Sequence, residues 1–323
     1  MNRIQSIALA AAAAAALVPQ LAQAQTFPDK PITFVVPFAA GTATDQIARA
    51  IGNGITAETK QAVVIDNKAG ASGFIASQQV AKAAPDGYTV LITTNTTHAA
   101  NEHLFKKLPY DPVKDFAPIT ALGKGGQIMV VNPSFPAKTV AEFVAMAKKE
   151  PGKYSFGSGS SSSRMAGELL QQMADIKLLH VPYKSNTLAV TDLLGGQISM
   201  MITDTATGLP QVKSGKLRAL GMSSSNRSPL APDVPTIAEA GVKGYEMGYW
   251  FAAYAPAKTP PAVIKRLNEL LVKAATSDAA KTAFYEPTGT EVFTTSPEDM
   301  AKFQAGESQK WGRIVKAAGI EAE

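Results

Sequence analysis

The chain has no cysteine, only three histidines and no clustered basic run. Without cysteine there is no disulfide, no thiol nucleophile and no thiolate metal site, so the fold must be stable by packing alone. The histidines are His98, His103 and His180. His98 and His103 are five apart, unlike the His-Glu-x-x-His zinc pattern, and so few imidazoles leave little for metal ligation or general-base work. The formal charge of +5 is scattered, with Lys106-Lys107 and Lys148-Lys149 as its densest pairs. That argues against a nucleic-acid surface and leaves a mild bias toward anions. Catalytic signatures are missing too. No Gly-x-Ser-x-Gly elbow occurs, each Gly-Lys pair lacks the following Ser or Thr of a P-loop, and Gly157-Ser158-Gly159 lacks the third glycine of a dinucleotide fingerprint.

The amino terminus is distinctive. Arg3 is followed by an apolar, alanine-rich run from Ile7 to Val18, then by Ala22-Gln23-Ala24, a small-x-small site. This reads as a secretory signal peptide over residues 1–24, cleaved after Ala24. The run is too short for a spanning helix, and no cysteine follows to carry a lipid. Beyond it no apolar stretch approaches eighteen residues, so the exported chain is expected not to insert in a membrane. With 46% hydrophobic and 18% charged residues, the composition is that of a globular protein large enough for one or two domains.

Strand and helix signals then alternate. Ile32 to Phe38 is β-branched and aromatic, and reads as a buried strand. Ile47, Ile51 and Ile55 mark one face of a helix over 44–58. Short strands are predicted at 62–65, 88–93, 128–131, 154–157, 178–181, 198–202, 217–222 and 249–254. Helices are predicted at 73–83, 165–173, 188–194 and 260–276, with Thr139 and Glu142 forming a capping box for 139–150 and Ser296-Pro297 opening the last. Such alternation predicts an α/β fold with mainly parallel sheets flanked by helices. Lys124-Gly125-Gly126 and the 248–254 strand bracket a middle block. The expected division is one lobe from 25–124 and 250–323, a second from 125–249, and a ligand cleft between them.

Three polar segments follow strands, where open α/β sheets bind ligands. The first holds Phe38, Ala40, Gly41, Thr42, Thr44 and Asp45 ahead of a helix. Its backbone N–H groups and hydroxyls suit a carboxylate, while Asp45 could cap the helix or accept a donor from a ligand. The second holds Ser158, Gly159, Ser160, Ser161, Ser162, Ser163 and Arg164, again before a helix, with Arg164 able to contact a carboxylate in bidentate fashion. The third holds Thr94, Asn95, Thr96 and His98, expected to complete one wall. Asp204 is a weaker candidate, and Phe38 could pack on a ligand's carbon skeleton. No catalytic residue, metal site or cofactor is expected.

Several segments, in this order and spacing, resemble the Bug (TctC-type) family of periplasmic solute-binding proteins of tripartite tricarboxylate transporters. They include Phe27-Pro-Asp-Lys-Pro-Ile32, Val35-Val-Pro-Phe-Ala-Ala-Gly41 with Asp45, Asn67-Lys-Ala-Gly70 and Ala81-Lys-Ala-Ala-Pro-Asp-Gly-Tyr88. Leu108-Pro-Tyr-Asp-Pro-Val-Lys-Asp-Phe116, His180-Val-Pro-Tyr-Lys184, Asp192-Leu-Leu-Gly-Gly-Gln197, Gly215-Lys-Leu-Arg-Ala-Leu220 and Asp233-Val-Pro-Thr-Ile-Ala-Glu-Ala-Gly241 follow. The likeness runs from about Pro28 to Gly319. It implies a type II-like, two-lobed binding protein that closes around a small carboxylate. The implied partners are membrane permease subunits of the TctA/TctB type, served by a monomeric receptor. It also implies that the first loop and the serine loop flank the ligand. The chain departs from the pattern at Thr42 (often Gly), Arg164 (often His), Ser185 (often Gly), and Ser199 and Thr203 (often Asp). Two other functions share the same cleft: a sensory subunit for a signalling partner, and an exported hydrolase or lyase with Asp45 or Asp204 as general base.

Overall fold

The computed structural model describes residues 27–317 and 319–322, so the leader and its cleavage site lie outside the described residues. The strands are Ile32–Val36 (β1), Val63–Asn67 (β2), Thr89–Thr94 (β3), Phe116–Val131 (β4), Ser155–Ser158 (β5), Leu179–Pro182 (β6), Met200–Asp204 (β7), Arg218–Met222 (β8) and Gly248–Pro256 (β9). The main helices are Ala43–Thr59 (α1), Phe74–Ala81 (α2), Val140–Lys149 (α3), Ser161–Ala174 (α4), Asn186–Leu194 (α5), Thr205–Lys213 (α6), Pro261–Ala275 (α7) and Pro297–Ala317 (α8).

The strands join in the order β2-β1-β3-β9-β4-β7-β5-β6, with β8 also on β4. The sheet has two halves that meet within β4. Residues Phe116 to Gly126 of β4 pair with β9, next to β3, β1 and β2. Residues Gln127 to Val131 pair with β7 and β8, next to β5 and β6. In each half one strand opposes the rest: β9 in the first and β4 in the second. Two mainly parallel lobes therefore share the long strand β4.

Lys124-Gly125-Gly126 lie inside the 16-residue β4 rather than in a connecting loop. A side chain at Gly125 would meet the Tyr249 ring, with the phenol oxygen 2.6 Å from the added carbon. These glycines admit a neighbouring aromatic rather than breaking the strand. Register shifts between Pro118 and Thr120, and between Ala121 and Gly123, absorb the irregularity.

Period-2 alternation along β9 builds the core on both faces. Tyr249, Phe251 and Ala253 pack with Ile47 and Ile51 of α1 and Leu267 and Leu271 of α7. Trp250, Ala252 and Tyr254 join Met300 and Trp311 of α8 in a second cluster, which continues into Phe156, Met165 and Leu170 of the other lobe. Among the described residues, no helix is long and apolar enough to cross a membrane.

Candidate functional site

β1 ends at Val36, and the chain turns through 37–42 into α1. The turn needs Gly41, whose φ of +81° is a left-handed conformation. Asp45 then secures the loop from inside the helix. Its carboxylate accepts from Gly41 N–H (2.9 Å) and Asn67 Nδ2 (3.1 Å), and pairs with Arg49 (2.9 Å). Burial pushes this carboxyl up, but the Arg49 guanidinium, the Gly41 N–H and the Asn67 amide together hold it below the usual range. Asn67 also donates to Phe38 O. Thr42, at the N-cap of α1, makes no side-chain bond to the helix, and its hydroxyl donates to Ala39 O instead. The first turn of α1 thus presents N–H groups that no side chain caps.

The serine loop behaves differently. Ser160 caps α4 in a reciprocal capping box with Ser163. The Asn186 carbonyl accepts from Gly159 N–H (3.0 Å) and Ser163 Oγ (2.9 Å), and its amide donates to Asp204 Oδ2 (3.1 Å). An added carbon at Gly159 would lie 1.9 Å from Ser185 C and 2.1 Å from Asn186 N, so only glycine lets this loop seat on the start of α5. Asp204 in turn caps α6, accepting from Thr207 N–H at 2.8 Å.

These helix starts converge on one small cavity of about 30 Å³. Phe38, Thr42, Ala43, Thr44 and Thr94 line it from one side, and Gly159, Ser160, Ser162, Asn186 and Asp204 from the other. Tyr249 and Phe251 of β9 close it. The Tyr249 hydroxyl bonds Thr205 and Thr290 (3.0 Å each), tying α6 to the carboxy-terminal segment. Burial pushes the Tyr249 phenol up to about 12, and the Asp204 charge adds to the effect. The lobes also touch directly: Ser161 Oγ donates to Asn101 Oδ1 (2.8 Å).

Of the residues expected at the cleft, Phe38, Thr42, Thr44, Thr94, Gly159, Ser160, Ser162 and Asp204 line this cavity. Ala40 and Gly41 face outward on the loop. Asp45 faces its own loop rather than the cavity. Asn95 and Thr96 are fully buried beside it. Ser163 is taken up by the capping box. His98 does not form a wall. It lies in the core, stacked on Tyr254 at 3.9 Å and bonded to Thr97 Oγ1 (2.8 Å), and burial lowers its pKa to about 3, keeping the ring neutral. Ser158, Ser161 and Arg164 line an adjacent outer chamber of about 320 Å³, shared with His180 and Lys184. Ser158 bonds His180 (2.7 Å), and Arg164 lies 3.8 Å from Glu168. Ala43, Asn186, Tyr249 and Phe251 escaped the sequence reading. Alternation marks Tyr249 and Phe251 as one face of β9, but only the fold brings that face to the cavity. Among the described residues, no three acidic or imidazole groups are placed to share a metal.

Two α/β lobes joined by crossing strands, with helix N-termini from both facing one cavity, define a two-lobed solute-binding protein. Residues 47–320 match the family model of the tripartite tricarboxylate transporter family receptor, TctC, and the chain belongs to that family. Among solved structures, R. palustris Rpa4515 with adipate is 33% identical, covering 92% of this chain and all of the other, at a TM-score of 0.89. The periplasmic binding protein BugD is 32% identical over 92% of this chain and all of its own, at 0.87. MatC from Rhodopseudomonas palustris with bound malate is 31% identical over 90% of this chain and all of its own, at 0.85. Family members are thus periplasmic binding proteins that act as transporter receptors.

Proposed function

We propose that this chain is an extracytoplasmic receptor that closes its lobes around a small carboxylate. It would deliver the solute to membrane subunits of the TctA/TctB type, without chemical turnover. One observation carries the reading: the uncapped first turn of α1 opens into a cavity walled by Phe38, Tyr249 and Phe251. Orphan N–H groups at the positive end of a helix hold a carboxylate without a formal cation, and the aromatic walls receive its carbon chain. The adipate and malate bound by the two R. palustris proteins support the ligand class. In this reading the lobes are 25–124 with 250–323, and 125–249, and the strand crossings between them act as the hinge. The receptor is exported with cleavage after Ala24 and works as a monomer.

The test is calorimetric and thermal titration of residues 25–323, stripped of co-purified ligand, against linear dicarboxylates, hydroxy acids and amino acids. A ligand at about a hundred times its Kd should add roughly 2.7 kcal/mol and raise Tm by several degrees. It should be recovered unchanged after incubation. A flat response to every acid would sink the proposal, and product formation would redirect it to catalysis.

A further inference from the structure

We infer that Asp204 makes this cavity selective for a zwitterion, an acid that also carries an ammonium group, over the plain acid of the same shape. The inference rests on the carboxylate-receptor reading and names the class of ligand within it. None of the residues lining the cavity is Lys, Arg or His, and Asp204 is its one ionisable carboxylate. The basic side chains Arg164, His180 and Lys184 line the outer chamber, which meets the cavity at Phe38, Gly159 and Ser160.

Asp204 is held in place from three directions. Thr207 N–H reaches Oδ1 at 2.8 Å, and Asn186 Nδ2 (3.1 Å) and Thr203 Oγ1 (3.3 Å) reach Oδ2. A carboxylate offers about four acceptor sites, so three neutral donors leave capacity for one more. The residue is 9% exposed and lines the cavity. Its formal charge is therefore met by neutral donors alone, at a largely buried position where charge interactions are stronger than in bulk water.

A ligand with a single negative group can place it at α1, on the opposite lobe, and leave Asp204 unopposed. An additional anionic group near Asp204 meets a like charge, which is disfavoured. An ammonium there gains a charge-assisted bond of the stronger kind. The two lobes thus present opposite preferences across one small space: donors on α1 and an acceptor on the cap of α6. A zwitterion satisfies both, and its two ends would draw the lobes together.

The test uses skeletons that differ in one group: succinate, malate and L-aspartate, and in parallel glutarate and L-glutamate. The wild-type receptor should bind the amino acid of a pair at least tenfold more tightly than the plain diacid. In Asp204→Ser, which retains an oxygen to cap α6, the preference should fall toward unity, with the plain diacid binding more tightly than before. Asp204→Asn should act in the same direction. The wild-type ratios alone decide the matter should a variant fail to fold. Equal binding of the plain and amino diacids overturns the inference and leaves the carboxylate receptor standing. Malate matching aspartate also overturns it, because a neutral donor would then suffice. Failure of every acid to bind a protein with a normal melting transition removes both readings.

Discussion

The two loops that face the cavity look alike in sequence but act differently. Both end a parallel strand and open a helix, and both are rich in hydroxyls. The loop at 37–45 leaves the first turn of α1 without a side-chain cap, and is held from behind by the charged pair Asp45–Arg49. The loop at 157–164 caps its helix with its own serines and fastens to Asn186 by neutral bonds. A serine-rich loop is therefore not a count of ligand donors: Ser160 and Ser163 satisfy each other before any ligand arrives. The first loop supplies an open electropositive end, and the second supplies shape and rigidity.

The sharpest way to break this contrast is to add one carbon to each loop. Gly159→Ala drives a Cβ into the backbone of Ser185 and Asn186, which cannot yield as a side chain tip would. We expect loss of about 3 kcal/mol or more, in the severe range for overpacking, and ligand affinity reduced beyond a hundredfold. Gly41→Ala meets open space and suffers only its φ of +81°, at a cost of about 1–2 kcal/mol. Denaturant unfolding of both variants, with affinities alongside, checks the order. Equal effects would mean that the serine loop is not seated as described.

Acid should distinguish the lobes next. The first lobe holds two groups whose pKa values the fold displaces downward, His98 and Asp45. His98 is neutral and buried with a pKa of about 3, against 6.5 when unfolded. The unfolded chain takes up a proton first as pH falls, so stability is full above 6.5 and declines between 6.5 and 3. The slope is about 1.4 kcal/mol per pH unit over that window. Asp45, held below its ordinary value of 3.8, adds a smaller loss as pH falls below 4 through its folded pKa. Its contribution is at most about 1 kcal/mol, because Arg49 is half exposed. His98→Phe should flatten the decline above pH 4 in unfolding titrations, and an unchanged slope would exclude His98 as its source.

Each loop also has an asparagine clasp from a neighbouring element, and removing the two in turn sharpens the comparison. Asn186→Ala leaves Gly159 N–H without its acceptor, and takes one acceptor from Ser163 Oγ and one of three donors from Asp204. A loss of about 1–3 kcal/mol is expected, together with weaker binding. Asn67→Ala removes donors to Phe38 O and Asp45 while Arg49 and Gly41 still hold the carboxylate, so its loss should be smaller. Chemical denaturation of the pair reads the difference, and a larger loss for Asn67→Ala would reverse the assignment of rigid and charge-held loops.

The pattern of the chain made most of the architecture legible, because helix and strand periods are local properties. Ile47, Ile51 and Ile55 announce α1 directly, and Thr139 with Glu142 announces α3. The failures have local causes with distant answers. The first half of β4 hides behind Pro118, Gly123, Gly125 and Gly126, whose places are explained only by register shifts and by Tyr249. α6 hides behind Gly208 and Pro210, although Gly208 lets the helix lie against Ile128. In the candidate site, the strand-to-helix loops were visible as sequence. Asn186, Tyr249 and Phe251 were not, because they reach the cavity from elements 22 or more residues away from those loops in sequence. His98 was misjudged because a polar run after a strand usually faces water. Here the chain continues into a wide, π-type helical turn, 96–100, that carries the ring inward against Tyr254 and Phe116.

The smallest expected effect concerns the lobes' contact rather than either loop alone. Ser161 Oγ donates across the cleft to Asn101, whose amide is fixed by Ser72 O and Tyr110 Oη. Ser161 lies outside the capping box of α4, so Ser161→Ala removes the crossing bond while leaving the serine loop capped. A hydrogen bond of this kind is worth about 1 kcal/mol. Because it forms only when the lobes meet, its loss should weaken closure and not the fold. Ligand affinity should fall about fivefold, appearing as faster release, while Tm of the unliganded protein changes little. Stopped-flow release and unfolding of the same variant separate the two outcomes. A drop in Tm without faster release would make this bond part of the fold and leave the closed state to the apolar contact between the lobes.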